Sequence, residues 1–146
     1  MRRRFEGLEI DTRAVGRGAL VGLCVIAPVS IIDLVLSAVD GLDEGFVVFA
    51  LFVAILAAFL LAGFRAAHAA QTAPYTHGAL GALAAFGLWL PLRIVTRALT
   101  GERLLGRAGD GPLDVAVALL TVALLAMSFG IMGGLLAARA QERHRS

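Results

Sequence analysis

Lysine is missing from this sequence, and charged residues of every kind are scarce. All thirteen basic residues are arginine, and 16% of the 146 residues carry a formal charge. A soluble domain usually carries about 25% charged residues and interrupts its apolar segments more often. The net charge of +2 is too small to indicate a nucleic-acid partner, and we predict none. Arginine without lysine, with abundant alanine and glycine, is typical of GC-rich bacterial genes.

Cysteine is almost absent as well. The only one, Cys24, has no activating neighbour in the sequence, so we expect it to be a small buried hydrophobic residue. A single cysteine excludes a disulfide within the chain. His68 and His77 lie too far in sequence from further ligands to indicate a metal site. We therefore predict no metal and no cofactor, and we expect both histidines at the membrane surface.

Four long apolar segments occupy most of the chain. Val115–Ala138 runs for 24 residues without a formal charge, and Gly45–Phe64 runs for 20. A bilayer core of about 30 Å is crossed by about 20 apolar residues in a helix. We therefore predict an all-α polytopic membrane protein with a single domain, residues 1–146, and four transmembrane helices. The predicted spans cover about residues 17–39, 45–66, 77–98 and 114–138.

The arginines predict the orientation of the chain. Nine lie in the amino-terminal segment, the second connection and the carboxyl-terminal tail, and four lie around the third connection. Cytoplasmic loops are enriched in arginine. We predict a multi-pass protein of the bacterial plasma membrane with both termini in the cytoplasm and with Asp40–Gly45 and Gly101–Pro112 outside. The third connection, with Leu104 and Leu105 between arginines, is either a short interfacial helix or a solvated loop.

Small residues recur at every fourth position in the predicted spans. This spacing places them on one helix face, and in membranes small residues let helices approach closely. We predict that these faces form one tight bundle. The predicted packing residues are Gly18, Gly22, Ala50, Ala54, Ala58, Ala62, Gly78, Ala82, Ala126, Gly130 and Gly134. Besides the lipid bilayer, the expected partners are copies of this chain or another membrane protein.

A shift of 60 residues aligns the first span with the third. Gly18–Leu20 then matches Gly78–Leu80, and 6 of 21 positions are identical, whereas composition alone predicts roughly two or three. The ends of the second and fourth spans, Leu60–Arg65 and Leu135–Arg139, also resemble each other. We interpret the chain as an internal repeat of two helical hairpins, related by an axis along the membrane normal.

The same shift places Asp33 opposite Arg93. Both lie about 22 Å from the cytoplasmic ends of their spans, at 1.5 Å per residue. A charge at this depth costs about 3 kcal/mol on insertion scales. Three interpretations remain: an Asp33–Arg93 ion pair that sets which helices touch, an Arg93 side chain that extends to the outer surface, or a proton or ion site at Asp33. The third would use helix distortions at Pro28 and Pro91.

The sequence has no catalytic motif, and we predict that the protein is not an enzyme. The hydroxyl residues within the spans have no adjacent base, so we expect each to bond to a backbone carbonyl of its own helix. These residues are Ser30, Ser37, Thr96, Thr121 and Ser128.

The layout of the helices resembles a family. The first and third spans open with Arg17-Gly18 and His77-Gly78, and the second ends in Leu-Leu-Ala-Gly-Phe-Arg-Ala-Ala. This pattern, over residues 15–139, resembles small four-helix membrane proteins of unknown function from Gram-positive bacteria. In that family the second span tends to end in a Gly-Gly-x-x-Ala-Gly run, of which Ala62-Gly63 is present here. The resemblance implies the four-helix architecture and no activity. Small multidrug exporters differ, because they carry a glutamate near the middle of the first helix.

Two classes of function fit this sequence. The first is a structural or accessory subunit that packs with itself or with a larger membrane partner, as the small-residue faces favour. The alternative is a small oligomeric transporter or channel that uses Asp33 and Arg93. Since one bundle of this size is too thin to enclose a pathway, the alternative requires several copies of the chain.

Overall fold

Four long helices make up most of the chain in the computed structural model, which describes residues 2–5, 8–36, 44–70, 72–100 and 111–143. Each helix is long and apolar enough to cross a membrane. They are α1 (Thr12–Leu36), α2 (Glu44–Ala69), α3 (Pro74–Thr100) and α4 (Pro112–Arg143). The interfacial helix considered around Leu104 and Leu105, and most of the first connection, lie outside the described residues.

A short antiparallel hairpin precedes α1. Strand β1 (Arg2–Phe5) pairs with β2 (Leu8–Asp11), and two residues join them. A two-residue link is the commonest connection of a β-hairpin. The chain is otherwise helical, as the all-α prediction requires, and the two paired strands satisfy one another's backbone groups before α1 begins.

Helix α1 begins directly after β2 because Asp11 caps it. The Asp11 Oδ1 atom accepts hydrogen bonds from the backbone N–H groups of Arg13 at 3.0 Å and Ala14 at 3.4 Å. These bonds satisfy two of the N–H groups that a helix start leaves without partners. The helix therefore starts at Thr12, ahead of the first predicted membrane span.

The helices pack around a central pair. Helices α2 and α3 contact each other, and both α1 and α4 contact each member of this pair. Within the described residues, α1 and α4 share no comparable interface. They therefore lie on opposite sides of the α2–α3 pair.

This arrangement bears on the internal repeat. A two-fold axis that exchanges α1 with α3 and α2 with α4 would also convert the α2–α3 interface into an equivalent interface between α4 and α1. The described residues show the α2–α3 interface without such a counterpart. The repeat of two hairpins therefore stays a prediction from the sequence.

Glycine and alanine bring the helix backbones into contact in one half of the bundle, the half that contains the amino-terminal parts of α1 and α3. A Cβ atom added to Gly18 would overlap Ala62 of α2, and one added to Gly22 would lie 2.8 Å from Cβ of Ala85 on α3. Larger side chains do not fit at these positions. This half is therefore closed by direct helix–helix contact.

Helix α4 joins the same half through its own glycines. A Cβ atom added to Gly130 would lie 2.5 Å from the Gly78 oxygen and 2.6 Å from Cβ of Ala82. One added to Gly134 would lie 2.6 Å from the oxygen of Pro74, where α3 begins. The carboxyl-terminal half of α4 therefore lies directly against the start of α3.

The predicted packing residues are buried with two exceptions. Ala50 is exposed and Ala54 is half-buried, whereas Ala58 and Ala62 are fully buried. The predicted alanine ridge is thus covered only along the second half of α2. Cys24, expected to be buried, is exposed on the outer side of α1, because α1 turns the face with Gly18 and Gly22 inward.

Candidate functional site

An aromatic layer marks the end of the tightly packed half. The rings of Phe59 and Phe86 meet edge to face with centroids 6.4 Å apart, and Phe86 lies 5.8 Å from Trp89. All three side chains are buried, together with Ile26 of α1. They belong to α1, α2 and α3, so this layer ties three helices together at one level of the bundle.

A cavity of about 380 Å³ lies against this layer, among all four helices. Most of its lining is aliphatic or aromatic. The apolar lining residues are Val29, Leu51, Phe52, Ile55, Leu56, Phe59, Ala118, Val122 and Leu125. The residues with polar groups are Ser30, Asp33, Trp89, Arg93 and Thr121. Binding pockets commonly have this composition, with a few polar groups on an apolar wall.

The charged wall of the cavity is an ion pair between α1 and α3. Arg93 Nη1 donates a hydrogen bond to Asp33 Oδ2 at 2.8 Å. The two helices contact each other, and Asp33 lies in the last turn of α1. The side chain of Arg93 is 20% exposed and that of Asp33 is 32% exposed. The structure thus brings the two residues together, as the first of the three interpretations describes.

The neighbouring prolines do not break the helices. Pro28 and Pro91 both lie inside continuous helices, α1 and α3, and both are exposed on the outside of the bundle. Each removes one backbone N–H donor close to the ion pair. An ion or proton site at Asp33 that uses these distortions stays a proposal.

Trp89 is a functional candidate that the sequence analysis did not select. It lines the cavity and is only 5% exposed. Its indole Nε1–H has no hydrogen-bond acceptor among the described residues. Leaving such a donor unsatisfied costs about 1–3 kcal/mol. The signal in the sequence is the spacing, since Trp89 lies four residues before Arg93 and thus on the same face of α3.

His77 forms a second polar contact, at the opposite end of the bundle. Its ring is fully buried among protein atoms, and its expected position at the membrane surface stays a prediction. Nε2 accepts a hydrogen bond from the Asp11 backbone N–H at 2.9 Å, and Nδ1–H donates to the Ala73 carbonyl at 3.0 Å. These roles require the neutral ring with its proton on Nδ1. The side chain therefore joins the β2–α1 junction to the start of α3.

Three further polar residues make contacts within their own helices. His68 is exposed and stacks on Phe64 with ring centroids 5.7 Å apart. Thr121 and Ser128 each donate a 2.8 Å hydrogen bond to the backbone carbonyl four residues earlier. For these two hydroxyls the predicted bond to their own helix is confirmed.

The described residues contain no group of three or more His, Cys, Asp and Glu side chains that could hold a metal ion. The candidate site is therefore the cavity with its ion pair and its indole N–H. Searches against protein-family models, curated proteins and solved structures find no match to this chain.

Proposed function

We propose that the protein is a multi-pass protein of the bacterial plasma membrane, with both termini in the cytoplasm. We further propose that it works as a structural or accessory subunit that packs with copies of itself or with a larger membrane partner. The observation that carries this proposal is an exposed glycine, Gly87, in the middle of α3.

Gly87 differs from the glycines that hold the bundle together. A Cβ atom added to Gly87 would meet no atom within 4 Å, whereas one added to Gly81 in the same helix would lie 2.5 Å from Cβ of Ala66. Gly87 shares its outward face with Ala84 and Pro91, three residues before and four after it. This face of α3 therefore carries only small side chains.

This small-residue face favours a partner helix for a physical reason. Glycine inside a helix costs about 1 kcal/mol of helix stability relative to alanine. Contact with lipid does not offset this cost. Contact with a second helix does offset it, because the missing side chain lets the two backbones approach and pack closely. We therefore assign the face defined by Ala84, Gly87 and Pro91 to contact with another protein helix.

A photo-crosslinking residue at position 87, in the full chain and in native membranes, tests this assignment. We expect covalent products with a protein, which is a second copy or a larger partner. The matched control is position 124, where Leu124 is exposed on α4 and should react mainly with lipid. If position 87 reacts only with lipid, the accessory role on this face is wrong.

The cavity favours a second candidate function, a small oligomeric transporter or channel that uses Asp33 and Arg93. Its charged wall supplies groups that an ion or a polar substrate could contact. The aromatic layer and the glycine contacts close the cavity on one side, so transport would require several copies or a movement of the helices. In proteoliposomes, this proposal predicts transport of an ion or a polar substrate. Asp33→Asn should abolish this transport, and Ser128→Ala, which changes an exposed residue of α4 outside the cavity lining, should preserve it. Absence of flux with the wild-type protein contradicts it.

A further inference from the structure

Two charged residues line the cavity, but they compensate each other. Asp33 and Arg93 are joined by a 2.8 Å hydrogen bond, and Arg93 takes part in a further interaction. A charged ligand would have to compete with this pair for a partner, and it would lie against a mostly apolar wall. Both circumstances cost free energy. We therefore expect a ligand of this cavity to be neutral.

Ser30 brings a hydroxyl without a partner to the cavity. The residue lines the cavity and is 5% exposed, and its hydroxyl makes no hydrogen bond within the described part of the chain. Thr121 and Ser128, in contrast, each donate to a carbonyl of their own helix. The Oγ atom of Ser30 is not enclosed by protein atoms, so it is open to a ligand from the cavity.

Trp89 brings a second polar group to a similar depth. Ser30 lies three residues before Asp33 in α1, which is about one helical turn. Trp89 lies four residues before Arg93 in α3, also about one turn. Because Asp33 and Arg93 are in contact, Ser30 and Trp89 lie at a similar depth below the ion pair, next to the aromatic layer.

These two side chains specify the polar group of a ligand. The indole N–H can only donate, and it has no acceptor among the described residues. Its nitrogen is covered by neighbouring atoms, so an acceptor reaches it after the ring or an adjacent side chain rotates. A carbonyl oxygen has two lone pairs and can accept from both Ser30 and Trp89. Water could do the same, but it does not match the apolar remainder of the cavity.

The rest of the lining describes the body of the ligand. Besides Trp89, the aromatic residues Phe52 and Phe59 line the cavity, together with aliphatic side chains. Aromatic side chains pack favourably against the face or edge of another flat ring. The volume of about 380 Å³ is in the range of ligand pockets. A flat, apolar ring system therefore matches this wall.

From these features we propose that the cavity binds a neutral ring ketone, a flat apolar molecule whose carbonyl oxygen accepts hydrogen bonds from Ser30 and Trp89. Quinones share this chemistry. The inference goes beyond the accessory role, because the site does not depend on the face around Gly87. It also differs from the transport alternative, which requires an ion or a polar substrate.

Fluorenone and fluorene test the proposal as a matched pair, since fluorene has the same ring system with a methylene in place of the carbonyl. Binding of radiolabelled fluorenone to the full chain is measured in detergent micelles, with either compound as unlabelled competitor. We expect saturable binding, and fluorene should compete about tenfold less well because it lacks the acceptor. Equal competition would mean that ordered water satisfies the two donors. That result, or the absence of saturable binding, overturns the proposal.

A double variant tests the two donors directly. Ser30→Ala with Trp89→Phe removes both polar groups, so fluorenone and fluorene should then compete equally. Ser128→Ala is the control, because Ser128 is exposed and lies outside the cavity lining, and it should keep the preference for fluorenone. A preference that persists in the double variant would mean that other groups bind the carbonyl, and the proposal would be wrong.

Two variants of α4 locate the binding independently of the donors. Ala118→Phe fills the cavity, while Ala116→Phe adds the same ring on the exposed side of the helix. The proposal requires that Ala118→Phe abolishes saturable binding of fluorenone and that Ala116→Phe preserves it. Unchanged binding by Ala118→Phe would place the site elsewhere and contradict the proposal. None of these results depends on the crosslinking at position 87, so the two proposals fail separately.

Discussion

Asp33 and Arg93 lie 60 residues apart in the chain and are joined by a 2.8 Å hydrogen bond between α1 and α3. The bond connects two helices that run in the same direction from the same side of the bundle. A carboxylate and a guanidinium are tolerated in this apolar bundle because each compensates the charge of the other.

The first prediction concerns this ion pair. Asp33→Ala and Arg93→Ala should each lower the stability by about 2 kcal/mol, between the values for exposed and for fully buried pairs, because both side chains are partly exposed. The double change Asp33→Leu with Arg93→Leu should restore much of the loss. Thermal unfolding in detergent measures all three variants. A silent single substitution would show that the pair contributes nothing to stability.

A second prediction compares two residues of α2. Ala58 is fully buried, and its carbonyl lies 3.6 Å from a Cβ atom built on Gly22. Ala58→Leu should therefore destabilise the bundle by about 1–3 kcal/mol through overpacking. Leu56 lines the cavity and is half-buried, so Leu56→Ala should cost less in the same unfolding assay. The reverse order would place α2 in a different rotation about its axis.

The third prediction compares two glycines of α3, whose replacement by alanine should change the stability in opposite directions. Gly81→Ala should destabilise the bundle, because its Cβ would lie 2.5 Å from Cβ of Ala66. Gly87→Ala should stabilise the isolated chain by up to about 1 kcal/mol through helix propensity, since its Cβ meets nothing within 4 Å. The comparison uses denaturation of the purified protein. Equal effects of the two changes would contradict the packing of α3.

His77 supports a fourth prediction. His77→Phe preserves a ring but leaves the Asp11 N–H without its acceptor, at a cost of about 1–3 kcal/mol. The start of α1 should then open more often, and trypsin should cleave after Arg13 faster than in the wild type. His68→Phe is the control, because His68 is exposed and makes no such link to α1. Similar cleavage rates in the two variants would exclude a role for His77 in this junction.

The fifth prediction concerns orientation. In a Cys24→Ser background, a cysteine at position 43 should react with an impermeant thiol reagent on intact cells, and one at position 146 should not. The reason is the excess of arginine beside the termini, nine residues against four. Labelling at position 146 without labelling at position 43 would invert the proposed topology.

The sequence alone determined the four helices and which charges can meet. Long uncharged segments form helices in a membrane because a helix satisfies all of its backbone hydrogen bonds internally. The constant rise of a helix places Asp33 and Arg93 at equal distances from glycines in matching positions. Their equal depth is therefore predictable from the spacing along the two helices, and it made an ion pair one of three interpretations. The spacing of small residues similarly identified the contacting faces around Gly22 and Gly130.

Only the tertiary structure decided where those faces are covered and where they separate. Membrane helices are apolar on nearly every side, so the pattern along one helix does not show which neighbour covers it. Ala50 and Ala58 have the same spacing in the sequence, yet one is exposed and the other is buried. The cavity beside Trp89 and the burial of His77 arise from the relative positions of several helices. No single segment of sequence encodes those positions, because they result from the packing of all four.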